Sequence, residues 1–409
     1  MKPTLIIKGF ANCIYLYYSC LRNQFHFNRE GLMAKNMTYV GVGVNYDAMD
    51  PFKRAAQKAG RETAHNIRRL NNGEFQEVEA SRGESAYLIE AAKSYFAHVE
   101  EGLGTKNLVA DAMYHLTGKS YYDHIAHDTV AMIVNDMITL GALPLSTAMH
   151  LAVGDSNWFA DENRSRDLIA GWKKACNMAR CTWGGGETPT LKGVVIPGTV
   201  VLSGSAMGLV KPKERLIRAG NIRHGDAIIL IESSGIHANG LTMAQKIAEK
   251  LSEGYLTTLD DGRTYGETLL DPTHIYVGLV ENCLNAGVDI HYAVNITGHG
   301  WRKLMRAPQP FTYVIEKLPR QLPIFNFLRE HGPVSKEEAY GNFNMGVGFA
   351  LFIPKSSEVR LYTVMRDLLR SPEIHFHAIT AGYIERSPEK KVVIVPEQIA
   401  YRADTLAVR

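Results

Sequence analysis

The chain has 409 residues, enough for two domains with a core each at roughly 100–200 residues per domain. With 45% hydrophobic and 21% charged residues it has the composition of an ordinary soluble globular protein. Its 45 basic and 42 acidic residues leave a net charge of +3, and no basic run forms a polybasic patch. Nothing therefore points to nucleic acid or a membrane surface as a partner.

The first 36 residues carry an apolar stretch, GFANCIYLYYSCL, too short and too polar to span a bilayer and without a small-residue cleavage site. With Met33 and Met37 just ahead of the first motif, residues 1–36 read as an N-terminal extension, disordered, or as an overlong start. The five cysteines, Cys13, Cys20, Cys176, Cys181 and Cys283, form no disulfide framework, and the odd count fits a reducing, cytoplasmic compartment. Cys176 and Cys181 lack the second pair or nearby histidines that zinc needs.

From Tyr39 onward β-like runs alternate with helical ones. VAMIVNDMITLGALPLSTAMHLAV predicts a helix, a Gly/Pro stop and a strand over Ser146–Val153. NRSRDLIAGWKKACNMARCT has helical spacing, and GTVVLSGSAMGLV is a β-branched strand. The charged connector KPKERLIRAG then marks a boundary near Val210, dividing the rest into residues 37–210 and 211–409. Beyond it come a strand at Ala227–Ile231, a helix after Asn239, a helix from about Pro272 to Ala286, the turn ITGHGW and the strand MGVGFALFIP. Both halves are mixed α/β.

Four stretches place glycine beside polar residues. In EGLGTKNLV, Gly102 and Gly104 let backbone approach a ligand, and Thr105 and Lys106 suit phosphate oxygens; the alternative is a plain loop, and the spacing is not a Walker loop. Asp128 and Asp136 are eight residues apart, about two helical turns, so both carboxylates can lie near one face and suit Mg²⁺. The alternative makes Asp128 a cap and Asp136 a chance polar residue, and His124 and His127 read as solvated helix-start residues. In WGGGETPTLKG, the glycines before Glu187 make either a backbone cradle or a tight turn. In ESSGIHANG, a strand end, the turn Ser233-Ser234-Gly235 and a helix start form an anion site, or His237 and Asn239 are caps.

Together these stretches resemble the phosphoribosylformylglycinamidine cyclo-ligase, or aminoimidazole ribonucleotide (AIR) synthetase, family of purine biosynthesis. DMITLGALP (Asp136–Pro144) fits its D-x4-G-A-x-P pattern. GVNYDAMD, GLGTK, GGET, SSGIHANG, PTHIYV, ITGHG and FNMGVG follow in the family's order over roughly residues 39–395. The resemblance implies a two-domain α/β (α+β) fold: an N-terminal sheet domain that pairs into a barrel across a homodimer, and an α/β C-terminal domain. It implies ATP and Mg²⁺, with a small ribonucleotide as substrate. By position the nucleotide would meet Gly102, Gly104, Thr105, Lys106, Asp136, Gly141, Gly185, Gly186 and Glu187. Asp128, Asp136 and Glu101 would hold the metal. Ser233, Ser234, Gly235, His237, Asn239 and Gly240 would hold the substrate's phosphate, and Lys106, Asp136 and His237 would be catalytic.

The implied reaction activates a formyl oxygen by phosphorylation so that an amidine nitrogen can close the imidazole ring. Positioning and charge neutralisation do that work, with no Ser or Cys nucleophile. The chain departs from the family pattern at Glu101 (usually Asp), Asn295 (His), His299 (Gly), His274 (Arg), Asn45 (acidic) and Pro189–Lys192. Several of these positions are expected to touch substrate, so the identity of the acceptor is the least determined part. Two other readings stand beside the first: a paralogue phosphorylating another small acceptor, and a non-catalytic nucleotide-binding homologue.

Overall fold

The computed structural model describes residues 37–69 and 73–406, which belong to one compact unit. The reading of residues 1–36 falls outside the described residues. The first sheet has six strands: β1 (Gln76–Glu77), β2 (Tyr87–Glu90), β3 (Tyr95–Gly102), β4 (Leu143–Val153), β5 (Thr182–Glu187) and β6 (Val200–Val210). Their order is β1-β2-β3-β6-β4-β5, antiparallel except for the parallel pair β4–β5. The second sheet takes β7 (Ala227–Glu232), β8 (Tyr292–Asn295), β9 (Phe311–Ile315), β10 (Val347–Ile353), β11 (Ala378–Arg386), β12 (Lys391–Ile394) and β13 (Ile399–Arg402). Its order is β13-β12-β9-β11-β7-β10-β8. The continuous apolar runs of β7 and β10 follow from their central places, buried on both faces.

Four helices position the site: α1 (Tyr46–Glu62), α2 (Lys106–Thr117), α3 (Tyr122–Ile138) and α4 (Glu162–Met178). Helix α3 is buried nearly all round, its later polar side chains included, so it is covered on every side. It lies on β3, β6 and β4, against α4, and turns its remaining face to β8 and to α6 (Val277–Asn285), which follows α5 (Leu241–Ala248). Side chains such as Ile133, Val134 and Met137 are fully buried there, each worth about 1.5–3 kcal/mol. Helix α4 comes close to α3 only because residue 171 is glycine. A Cβ there would stand 2.1 Å from the Asp123 carbonyl oxygen.

Three expectations needed correction. Strand β4 begins at Leu143, so Pro144 does not stop the chain; it sits at a bulge, where the lost N–H is tolerated. Gly184–Gly186 make neither a cradle nor a tight turn but the edge strand β5, and Gly186 packs against the Met149 carbonyl oxygen. The helix expected from Pro272 starts only at Val277. Its first five residues are extended because α3 side chains take their backbone groups, as described below.

Candidate functional site

Two acidic side chains from distant stretches meet where β3 ends. Glu101 is the penultimate residue of β3, and Asp136 lies in the last turns of α3. Asp136 is buried, and its Oδ1 accepts from Asn295 Nδ2 at 2.7 Å. Burial first, and then the charge of Asp136, push the Glu101 carboxyl up to about 8, while Lys303 and Arg306 pull the other way. At neutral pH the Glu101 carboxyl therefore keeps a proton beside Asp136. Lys303 sits in the field of both acids. Burial draws its ammonium down to about 8 against the pull of Asp136, and it donates to Thr297 Oγ1.

The loop that follows β8 closes one side of this centre. His299 adopts φ +67°, and its ring stacks on Tyr46 with centroids 3.8 Å apart. Burial, then Arg302 and Lys303, hold its imidazole down to about 3, so the ring is neutral, and its Nδ1 has no partner. Asn45 caps α1 by accepting from Ala48 N–H, which fixes the position of Tyr46. A pocket of about 170 Å³ lies beside the loop, lined by Tyr46, Gly104, Thr105, Asn239, Gly240 and Gly298. Gln245 Nε2 holds the Thr105 turn through the carbonyl oxygen at 2.9 Å and the hydroxyl at 3.0 Å.

Other expected residues stand elsewhere. Lys106 is fully buried, with its Nζ 2.5 Å from Asp128 Oδ2 and donating to the Asp271 carbonyl at 2.8 Å. Asp128 Oδ1 accepts from Thr273 N–H at 2.6 Å. This carboxylate is already neutralised, as a buried ion must be. It also lies eight residues, about 12 Å of helix, from Asp136, so a shared metal face is not formed. Among the described residues no three His, Cys, Asp or Glu side chains form a group that could hold a metal ion.

Gly102 ends β3 opposite Ser203. Gly141, at φ +75°, serves the chain turn: a Cβ would lie 2.2 Å from the Arg215 carbonyl oxygen. Gly185, Gly186 and Glu187 are exposed on β5. The register row Glu101–Gly204–Met149–Gly186 puts them three strands, about 14 Å, from Glu101.

The Ser233–Gly240 loop is divided. Ser233 and Ser234 face a larger cleft, whereas Asn239 and Gly240 face the small pocket. Ser233 Oγ donates to Asn344 Oδ1, Ser234 Oγ to the Pro272 carbonyl, and the Gly235 carbonyl accepts from Asn344 Nδ2. His237 is buried at φ +60° and lines neither cavity; its Nε2 accepts from Ser234 N–H. Burial, His274 and Lys106 keep it neutral. It positions the turn. Lys303 and Tyr46 were not singled out from sequence. A lysine within WRKLMR reads as a solvated helix face, and only its place five residues after the Gly298 turn pointed to the site.

Residues 83–210 match the family described as AIR synthase related protein, N-terminal domain, and residues 223–367 match its C-terminal domain. A phosphoribosylformylglycinamidine cyclo-ligase of Carboxydothermus hydrogenoformans is 33% identical over 382 residues, 88% of this chain and 99% of the relative. Among solved structures, a chain of the HypE–HypF complex superposes with a TM-score of 0.57 at 17% identity, covering 80% of this chain and 95% of that one. AaThiL, solved with AMPPCP and TMP, gives 0.52 at 14% identity, covering 78% and 91%.

Proposed function

Because the chain belongs to the AIR synthase related family, we propose that it is an ATP-dependent cyclo-ligase of purine biosynthesis. It converts formylglycinamidine ribonucleotide to aminoimidazole ribonucleotide, releasing ADP and phosphate. The observation that carries this reading is the meeting of Glu101 and Asp136 beside the Gly102–Thr105 turn. The formyl oxygen attacks the γ-phosphorus and displaces ADP. The amidine nitrogen then adds to the formyl carbon, phosphate leaves with that oxygen, and the nitrogen loses its proton.

The acidic pair fits Mg²⁺, which takes one or two carboxylates and completes its shell with phosphate oxygens and water. Two acids that share a proton gain from a dication in its place. Bound there, Mg²⁺ would neutralise charge on the triphosphate. Asn295 orients Asp136, and Lys303 brings a positive charge to the same centre. Asp128 does not fit a metal role, since Lys106 already compensates it. Backbone at Gly104, Asn239 and Gly240 suits phosphate oxygens.

A homodimer is supported by the outer face of the first sheet. Val201 and Met207 are 51% and 49% exposed on β6, with Val194 and Ile196 exposed near the edge strand β5. No helix among the described residues is long and apolar enough to cross a membrane. Cys176, Cys181 and Cys283 are free thiols, which accords with a reducing, cytoplasmic setting. A second reading, phosphorylation of another small acceptor, draws on Asn295 and His299, the departures that stand at the centre itself.

The test is ADP release by the purified chain with Mg-ATP, with and without formylglycinamidine ribonucleotide. Release that requires this ribonucleotide supports cyclo-ligation. Tight ATP binding with no release sinks it, and light scattering of the same sample reports the dimer.

A further inference from the structure

The largest of the described cavities, about 860 Å³, does not belong to the Glu101–Asp136 centre. It opens between the start of α3, one side of α4 and the end of β7, with residues 320–322 and 372–377 on its rim. Asp123 lines it, thirteen residues before Asp136 and so about 20 Å away along α3. The buried Lys106–Asp128 pair and the extended Asp271–Tyr276 segment stand between the two places. That segment is pinned to α3: the Thr273 carbonyl meets His127 Nε2, Thr273 N–H meets Asp128, and Asn135 bonds His274 and Tyr276 backbone.

Two cations face the cleft without a counter-charge. Lys174 on α4 and Arg320 after β9 line separate walls, and neither has an ion-pair partner among the described residues. Four carboxylates line it as well. Asp271 is held by Arg263 at 2.9 and 2.5 Å, Glu232 accepts from His377 N–H at 3.0 Å, and Asp123 lies 3.8 Å from His124. Glu373, on the rim, has no ion-pair partner among the described residues. The wall also carries Thr273, 3% exposed, whose hydroxyl has no hydrogen-bond partner. A buried hydroxyl left unpaired in a cavity wall is costly unless a ligand or water meets it. Met178, Leu322 and Pro372 add apolar surface, and the volume lies in the range of small-molecule pockets.

We propose that this cleft is a second ligand site, for a phosphate monoester of nucleotide size, separate from the carboxylate centre. Lys174 and Arg320 take the phosphate from two walls, Thr273 supplies a hydroxyl, and the apolar part of the ligand lies against Met178 and Leu322.

The test is calorimetric titration of the full chain with AMP and with inorganic phosphate. The proteins compared are the parent, Lys174→Ala/Arg320→Ala, and Asp136→Asn. AMP should bind the parent and Asp136→Asn alike, and the double variant about tenfold or more weaker, since charge-assisted contacts to phosphate are the strong ones. Phosphate alone should bind more weakly than AMP. Both replaced side chains are exposed, so the variant should fold, and thermal melting checks that. The proposal is overturned if the double variant binds AMP like the parent, if Asp136→Asn abolishes binding, or if phosphate binds as tightly as AMP. None of these readings requires ATP turnover.

Discussion

Asp128 and Asp136 lie on one helix, two turns apart, and the chain treats them in opposite ways. Asp128 is sealed, with an ammonium at 2.5 Å on one oxygen and a backbone N–H at 2.6 Å on the other. Asp136 meets an amide and a second acid, and the Lys303 ammonium in their field is anchored on a hydroxyl. Burial is common to both and distinguishes nothing. What separates a structural carboxylate from a functional one is its partner: a counter-charge supplied by the fold, or a second acid that still calls for a cation.

The strongest way to break this comparison is Asp128→Ala. It strands the Lys106 ammonium in the core and should cost about 3–5 kcal/mol, read from urea denaturation. Replacing both partners together, Lys106→Met with Asp128→Leu, should recover most of that loss. An Asp128→Ala protein that is stable but inactive would move Asp128 into the reaction centre. Next in size is Asp136→Asn, with turnover expected to fall about 100-fold, or about 2.7 kcal/mol of barrier, and little change in melting. An active Asp136→Asn protein would end the metal assignment. Gly141→Ala should then cost stability, about 1–3 kcal/mol, because of its φ of +75° and the Arg215 carbonyl, while kcat stays unchanged. A changed KM for ATP would return that glycine to the nucleotide.

Much of this arrangement was legible in the chain. The helix of α3, its single late carboxylate and the turn at Gly102–Thr105 all follow from spacing and residue type. One error arises because periodicity reports which face a residue occupies and not how far along the axis it lies. Asp128 and Asp136 share a face at about 12 Å, too far for one ion. Glycine signals close backbone approach without saying to what: at Gly186 the neighbour is the Met149 carbonyl, at Gly141 that of Arg215. Pro272–Tyr276 lost its helix to hydrogen bonds from Asp128 and Asn135, contacts 141 to 145 residues away in sequence. Lys303 gained its role only by being folded against two acids.

The pH dependence of stability sharpens the contrast most. Glu101 titrates near 8 in the folded chain, against 4.5 for an ordinary glutamate, because burial and Asp136 disfavour its anion. Between those two values the native state holds more protons than the unfolded one, so stability falls as pH rises. For one proton the slope is at most about 1.4 kcal/mol per pH unit. Glu101→Gln, which cannot ionise, should flatten the metal-free profile between about pH 5 and 8. Mg²⁺ entering between the acids must displace the shared proton, so its binding should release protons, seen as a buffer-dependent enthalpy in calorimetry. Asp128→Asn should leave that release in place, because its carboxylate already has a cation. If the release vanished in Asp128→Asn and survived in Glu101→Gln, Asp128 and Glu101 would exchange roles.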